Sequence, residues 1–406
     1  MTETSPIDDI QSVLDSVIGA GKAAVSHTSA PELLEVHSAV RQLVESFGAA
    51  DYYQDQVDQG GHCAELWNAL GDNGYLGVHL PVEYGGGGLG LAELATVVEE
   101  TAFSGCPLLA LLFSAGVTGT VLHRSGSPAQ KQRWLPGIAS GSTRLSFAIT
   151  EPDAGSNAHR IATTAVRAGD RYVLNGQKVF ITGMESADWV MVVAATDGAD
   201  SGRLSVFLVD TSSPGLHWTP IRTVMNQPDR SHQVFFDNVE VPADHRVGAD
   251  GAGLKVAFTG LNTERILTSS ICTGVGRYAL RHAVDYAKQR RVWDQPIGAH
   301  QAVAHPLAAA HMRIEAARAI TERACTGYDA GQEVGELANM AKYLGAAAGL
   351  EALDAAVNTL GGNGVTYEYR LAPYYWLVRM LNMGPVSKEM ILNFVAERSL
   401  GLPRSY

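Results

Sequence analysis

Arg171-Tyr-Val-Leu-Asn-Gly-Gln-Lys-Val-Phe-Ile-Thr182 is the stretch that decides the fold. Two short apolar runs flank Asn175-Gly176, a dipeptide that tolerates positive φ, so the pattern predicts two strands joined by a tight turn at that point. Trp189 to Ala195, Leu204 to Asp210 and Val234 to Val241 continue as short strands between polar turns. A β unit, a small barrel or sandwich, is therefore expected over 146–247. Upstream the texture is helical: Leu34, His37, Val40 and Leu43, then Leu66, Trp67 and Leu70, then an apolar run from Leu91 to Leu122. Downstream of the glycine-rich Gly248 to Gly253 it is helical again, with Leu267, Ile271, Val275, Tyr278, His282 and Tyr286 spaced by threes and fours. Further helices are expected over Gln301 to Tyr328, Val334 to Leu360 and Val386 to Ser399. The order α, β, α predicts an α+β chain: an arm over 1–30, a helical unit over 31–145, the β unit over 146–247 and a helical bundle over 248–406.

Composition narrows the function. The 406 residues, 46% of them hydrophobic and 18% charged, suffice for two or three well-filled cores. Thirty Lys and Arg stand against 42 Asp and Glu, a net charge of −12 with no basic run. Phosphate tracking along a nucleic acid needs a positive stripe, which is missing here. Cys63, Cys106, Cys272 and Cys325 form neither a CxxC pair nor a metal-ligand spacing, so no disulfide framework and no metal site is expected. The acidic N-terminus and the lack of an apolar stretch of about 18 residues point to a soluble cytoplasmic protein. Forty-three glycines, by contrast, need a reason to be where they are.

Several motifs can carry chemistry, and each has an ordinary alternative. Thr150-Glu-Pro-Asp-Ala-Gly-Ser-Asn157 could aim backbone N–H groups and a hydroxyl at an anion or a flat ring, or be a plain Pro/Gly turn. Phe180 and Thr182 share one strand face and could stack on and bond to a planar cofactor, although an aromatic on a half-buried strand is commoner. Glu264, in Asn262-Thr-Glu-Arg265, could be a general base in an apolar cavity or an acidic residue favoured by the dipole of a helix beginning there, with Arg265 solvated. Arg290 offers a fork for a pyrophosphate and Gln301 an amide beyond a Pro/Gly turn; a basic last helical turn explains Arg290 equally well. Leu360-Gly-Gly-Asn-Gly364 lets backbone approach a ligand, as would any glycine helix stop, and it is not a GxGxxG after a strand.

The order and spacing of these motifs carry a resemblance. Gly77-Val-His-Leu-Pro-Val-Glu-Tyr-Gly-Gly86, Thr150 to Asn157, Asn175 to Thr182, Glu264-Arg265, Arg290 to Gln301, Gly361-Gly-Asn-Gly364 and the closing Ala396-Glu-Arg-Ser-Leu-Gly-Leu-Pro-Arg404 together resemble the acyl-CoA dehydrogenase family from about residue 31 onward. The resemblance implies a helical domain, a middle β domain and a C-terminal four-helix bundle, assembled as a tetramer with FAD between subunits. It implies Thr150 and Ser156 as hydroxyls at the flavin or its phosphates, Phe180 over the isoalloxazine, and Thr182 near flavin N5. Arg290 and Gln301 would reach the diphosphate of a neighbouring subunit's FAD. Asn358 to Gly362, including Gly361, would close on the adenosine, with Asn358 in place of the family's usual Gln. Arg265 and Ser156 are the expected substrate contacts.

The implied reaction is α,β-dehydrogenation of an acyl-CoA to the trans-2-enoyl thioester, with an electron-transfer flavoprotein as acceptor and no nucleic acid or membrane insertion. In most members the base is a glutamate in a C-terminal turn. Here that place falls on Pro385, and Glu264 matches instead the position used by a minority branch. Because proline has no N–H to hold the thioester oxygen, an oxidase or oxygenase on the same fold is the alternative; a carrier-protein thioester in place of the CoA thioester is another.

Overall fold

The computed structural model describes residues 31–196, 198, 202–225 and 227–404. The arm expected over 1–30 lies outside the described residues. Helices α1 (Pro31–Ser46), α2 (Ala50–Asp58), α3 (Ala64–Asp72) and α4 (Leu91–Phe103) open the chain. The apolar run after Leu91 is interrupted: a π-helical stretch over Leu111–Gly119 passes into α5 (Thr120–Ser125), followed by α6 (Pro128–Ser140). The β unit holds β1 (Leu145–Ala148), β2 (Thr164–Ala168), β3 (Arg171–Thr182), β4 (Trp189–Thr196), β5 (Leu204–Asp210), β6 (Leu216–Pro220), β7 (Ser231–Pro242) and β8 (Arg246–Val247). They form one sheet in the order β6-β7-β3-β2-β4-β5-β8, with β1 parallel to β4. The third unit is α7 (Gly253–Gln289), a short β9–β10 ladder at residues 291–296, α8 (Gln301–Asp329), α9 (Gly335–Leu360), α10 (Leu371–Met383) and α11 (Lys388–Phe394).

β4 is apolar from Trp189 to Ala195 because both faces of the sheet are covered. Met191, Val193 and Ala195 face Leu80, Val121, Trp134 and Ile138 of the first helical unit, while Val190, Val192 and Ala194 pack with Phe207 and Val239 on the other face. The helical units share a core: α7 packs on α4, α8 and α9. Buried Glu100 adds a polar tie, accepting Arg41 of α1 at 2.7 Å and Arg277 of α7 at 2.7 Å.

Two expectations need correction. Asn175-Gly176 is not a hairpin turn but lies inside the continuous strand β3, where the register against β7 shifts. The β2–β3 hairpin turns instead at Gly169, φ +67°. Gly176 is required for another reason: its φ is +144°, and a Cβ there would sit 2.6 Å from the Thr163 hydroxyl. Likewise α7 begins at Gly253, nine residues before Asn262. A Cβ on Gly253 would lie 2.5 Å from the Leu204 backbone, so glycine lets the helix start against β5. Glu264 is thus mid-helix, beyond the reach of a first-turn dipole.

Candidate active site

The β side of the site is built on a bulge. Between Lys178 and Ile181 the β3–β7 register slips, and Phe180 takes φ +60°. That backbone turns its ring outward, 62% exposed, although its neighbours Val179 and Ile181 are buried. A non-glycine residue at positive φ costs energy and persists only when its surroundings enforce it. Two sets of bonds do so. Val179 N–H donates to the Thr150 carbonyl at 2.9 Å, and buried Lys178 donates to the Ile149 carbonyl at 3.0 Å and to Glu151 at 2.8 Å. Glu151 also accepts the N–H groups of Ala162 and Thr163 at 2.7 and 2.9 Å. Burial brings the Lys178 ammonium down to about 8, and Glu151 holds it from falling further. The pair thus fastens the Thr150–Asn157 turn beside Phe180 and Thr182.

Thr182 sits half-buried at the end of β3, its carbonyl accepting the Ser146 hydroxyl at 2.8 Å. It lines a small recess with Phe113, Ser114, Arg144 and Gly183. Ser156 is exposed on the neighbouring turn, and Gly155 beside it has open space where a Cβ would stand. The structure therefore brings Thr150, Phe180 and Thr182 together around one bulge.

Glu264 is 2% exposed, and its Oε2 has no hydrogen-bond partner. Burial raises its carboxyl to about 8, with Arg265 and Lys342 opposing that rise. Arg265 is not solvated: it is 5% exposed and donates to the Leu261 carbonyl at 3.1 Å, to Asn339 at 2.6 Å and to Asn262. A buried polar atom left without a partner is uncommon, and where it persists it asks for an explanation such as a role in chemistry. Arg290, Gln301, Asn358, Gly361 and Gly362 form a separate, exposed set at the ends of α7, α8 and α9. Gly361, φ +59°, and Gly362 both have open space where a Cβ would stand.

Family models match over residues 31–142 (acyl-CoA dehydrogenase, N-terminal domain), 146–239 (middle domain) and 251–400 (C-terminal domain). The chain belongs to the acyl-CoA dehydrogenase family. Acyl-CoA dehydrogenase FadE12 of Mycobacterium tuberculosis is 48% identical over 385 residues, 94% of this chain and 99% of that protein. Butyryl-CoA dehydrogenase from Megasphaera elsdenii is similar in structure, with TM-score 0.83, 27% identity, and 88% and 96% of the two chains covered. So is a glutaryl-CoA dehydrogenase from Mycobacterium smegmatis solved with FADH2, with TM-score 0.87, 25% identity and coverage of 94% and 98%.

This acyl-CoA dehydrogenase carries Pro385 in the turn between α10 and α11. Lys342, from mid-α9, reaches that turn: its ammonium donates to the carbonyls of Asn382 and Val386, each at 2.7 Å. Sequence reasoning missed Lys342, and it missed Lys178 and Glu151. For Lys342 a signal existed. It stands four residues after buried Ala338 and three before buried Gly345, on the apolar face of its helix. Among the described residues no metal-binding group of His, Cys, Asp and Glu occurs, and no helix is long and apolar enough to cross a membrane.

Proposed function

We propose that this chain binds FAD and converts an acyl-CoA thioester to its trans-2-enoyl-CoA, with Glu264 as the base. The observation that carries the reading is the Glu264 carboxyl: buried, unpartnered at Oε2, and shifted to about 8 by desolvation. The α-proton of a thioester is weakly acidic, and a general base works best when its own pKa lies near the working pH.

The exposed Phe180 ring on its bulge, with Thr182 two residues on and the glycines with open Cβ space, fits a flat ring bearing a phosphate tail. Phe180 would cover the ring, Thr150 and Thr182 would offer hydroxyls at its edge, and Ser156 would reach the phosphates or the thioester. FAD, when bound, accepts the β-hydrogen as hydride. Glu264 takes the α-proton at Oε2, and the electrons of the broken Cα–H bond form the new double bond. Charge gathers on the thioester oxygen as the α-proton leaves, and a missing donor there typically costs about 10²- to 10³-fold. Proline cannot donate, so we assign that bond to the next N–H, of Val386.

Arg290, Gln301, Asn358, Gly361 and Gly362 lie on the exposed ends of the bundle, and Trp293 and Tyr367 nearby are 84% and 86% exposed. Aromatic surface of that extent next to an Arg fork supports an interface between copies of the chain, and the family resemblance makes that assembly a homotetramer in which this set completes a neighbour's FAD site. Reduced enzyme then passes its electrons to an electron-transfer flavoprotein.

Anaerobic incubation with straight, branched and ring-bearing acyl-CoAs tests the reading. Bleaching of the flavin, with a product two hydrogens lighter, is expected. Rapid reoxidation by air with release of peroxide or a hydroxylated product would replace this reading with an oxidase or oxygenase, to which Pro385 is the pointer.

A further inference from the structure

Lys342 acts on two parts of the site that sequence places far apart. Its side chain is fully buried, and its two bonds span Pro385: Asn382 is near the end of α10, and Val386 immediately precedes the α11 N-cap, Ser387. The Asn382 carbonyl is among the last four of α10, which have no partner inside the helix. The turn itself supplies little else: the Gly384 N–H bonds back to Met380, and Pro385 has no donor. An ammonium has three protons, so one remains after these two bonds.

The same ammonium is one of the two cations that oppose the rise of the Glu264 carboxyl, the other being Arg265. Arg265 lies on α7 beside the base, with its guanidinium engaged by Asn262, Asn339 and the Leu261 carbonyl. Lys342 comes from α9. Burial lowers the ammonium to about 8, while Cys272 and Glu264 of α7 and Glu389 of α11 favour its charged form and Arg265 of α7 opposes it. Glu333 acts in the same sense on Arg265.

We propose that Lys342 is a positioning residue of the reaction, clamping the Asn382–Val386 turn so that the Val386 N–H faces the thioester while supplying the positive charge against which Glu264 ionises. One residue thereby couples the base to the oxygen-binding turn. Neither half is a general packing role: an apolar side chain of equal volume would fill the space, yet leave two carbonyls unpaired and the carboxylate without its second cation.

The inference rests on Glu264 as base, so the experiment separates the two. FAD-loaded wild type, Lys342→Met, Lys342→Gln, Lys342→Arg and Glu264→Gln are mixed anaerobically with octanoyl-CoA and isovaleryl-CoA from pH 6 to 10, and the rate of flavin bleaching is followed. Lys342→Met should move the midpoint of the pH profile upward by about one pH unit, which lowers the rate near pH 7 by roughly tenfold. Lys342→Arg should bring the midpoint back to the wild-type value or below it, because a guanidinium keeps donors and stays charged above pH 8, where the ammonium loses its charge. If Lys342→Met does not fold, Lys342→Gln replaces it with the same expected change. A folded neutral variant whose midpoint and limiting rate match wild type overturns the proposal while leaving Glu264 as base. Bleaching by Glu264→Gln at the wild-type rate overturns both.

Discussion

Burial raises the Glu264 carboxyl to about 8, which suits it to the proposed role of base and costs the fold stability. Glu264 keeps its proton in the folded chain until about pH 8, whereas an unfolded chain releases it near the ordinary value of 4.5. Folding stability therefore falls as pH rises from about 4.5 to 8, by about 1.4 kcal/mol for each pH unit crossed. Glu264→Gln removes that dependence. The variant should melt above wild type, by a margin that widens between pH 5 and pH 8, as thermal denaturation followed by circular dichroism would show; a margin that is flat or reversed contradicts the assigned environment. The reason Glu264 stood undecided in sequence is physical as well. Its neighbours Asn262, Thr263 and Arg265 are polar, so nothing local announces burial, and only packing against α9 removes it from water.

At the level of elements, the alternation of helical and strand periodicity was legible because each unit buries a face of its own. α8 runs over Gln301–Asp329 against the expected 301–328, and α9 over Gly335–Leu360 against 334–360. The Asn175-Gly176 error came from reading positive φ as a turn, when the glycine serves close approach to Thr163 within a bulged strand. The buried lysines were harder to read: a lone Lys in an apolar run is usually solvated, and although the apolar helix face marked Lys342 as buried, the partners, Glu151 for Lys178 and the 382–386 turn for Lys342, are remote in sequence. Lys178→Met tests the first of these. It leaves Glu151 buried without its cation, a change that typically costs about 3–5 kcal/mol. We expect a lower melting temperature and loss of FAD together, measured by denaturation and by the flavin absorbance retained after gel filtration. Retention of both would show that the pair does not hold the Phe180 bulge.

At the scale of the molecule, the −12 charge leaves phosphate recognition to a few placed groups. Arg290 is proposed as one of them, and Trp293 lies three residues on, 84% exposed. Arg290→Ala should keep the fold and the assembly while weakening FAD retention by roughly tenfold or more, in line with about 1.5–3 kcal/mol for a hydrogen bond to a charged group. Trp293→Asp should split the proposed tetramer and release FAD with it, as light scattering and flavin absorbance on one column would record. Monomers of Trp293→Asp that keep their full FAD would show that each chain holds the cofactor alone. The family's fold was legible because the motifs that carry the resemblance are local strings. Which exposed residues serve a neighbouring subunit was carried only by resemblance, since a single chain's periodicity says nothing of its copies.

The central claim is that Glu264 removes the α-proton, and the rate of anaerobic flavin bleaching in Glu264→Gln measures it most directly. A folded, yellow variant that binds acyl-CoA yet bleaches at least about a thousandfold more slowly than wild type across pH 6 to 10 is the predicted result, general acid–base groups being worth typically about 10²- to 10⁴-fold. Bleaching at the wild-type rate, with the wild-type pH profile, would contradict it.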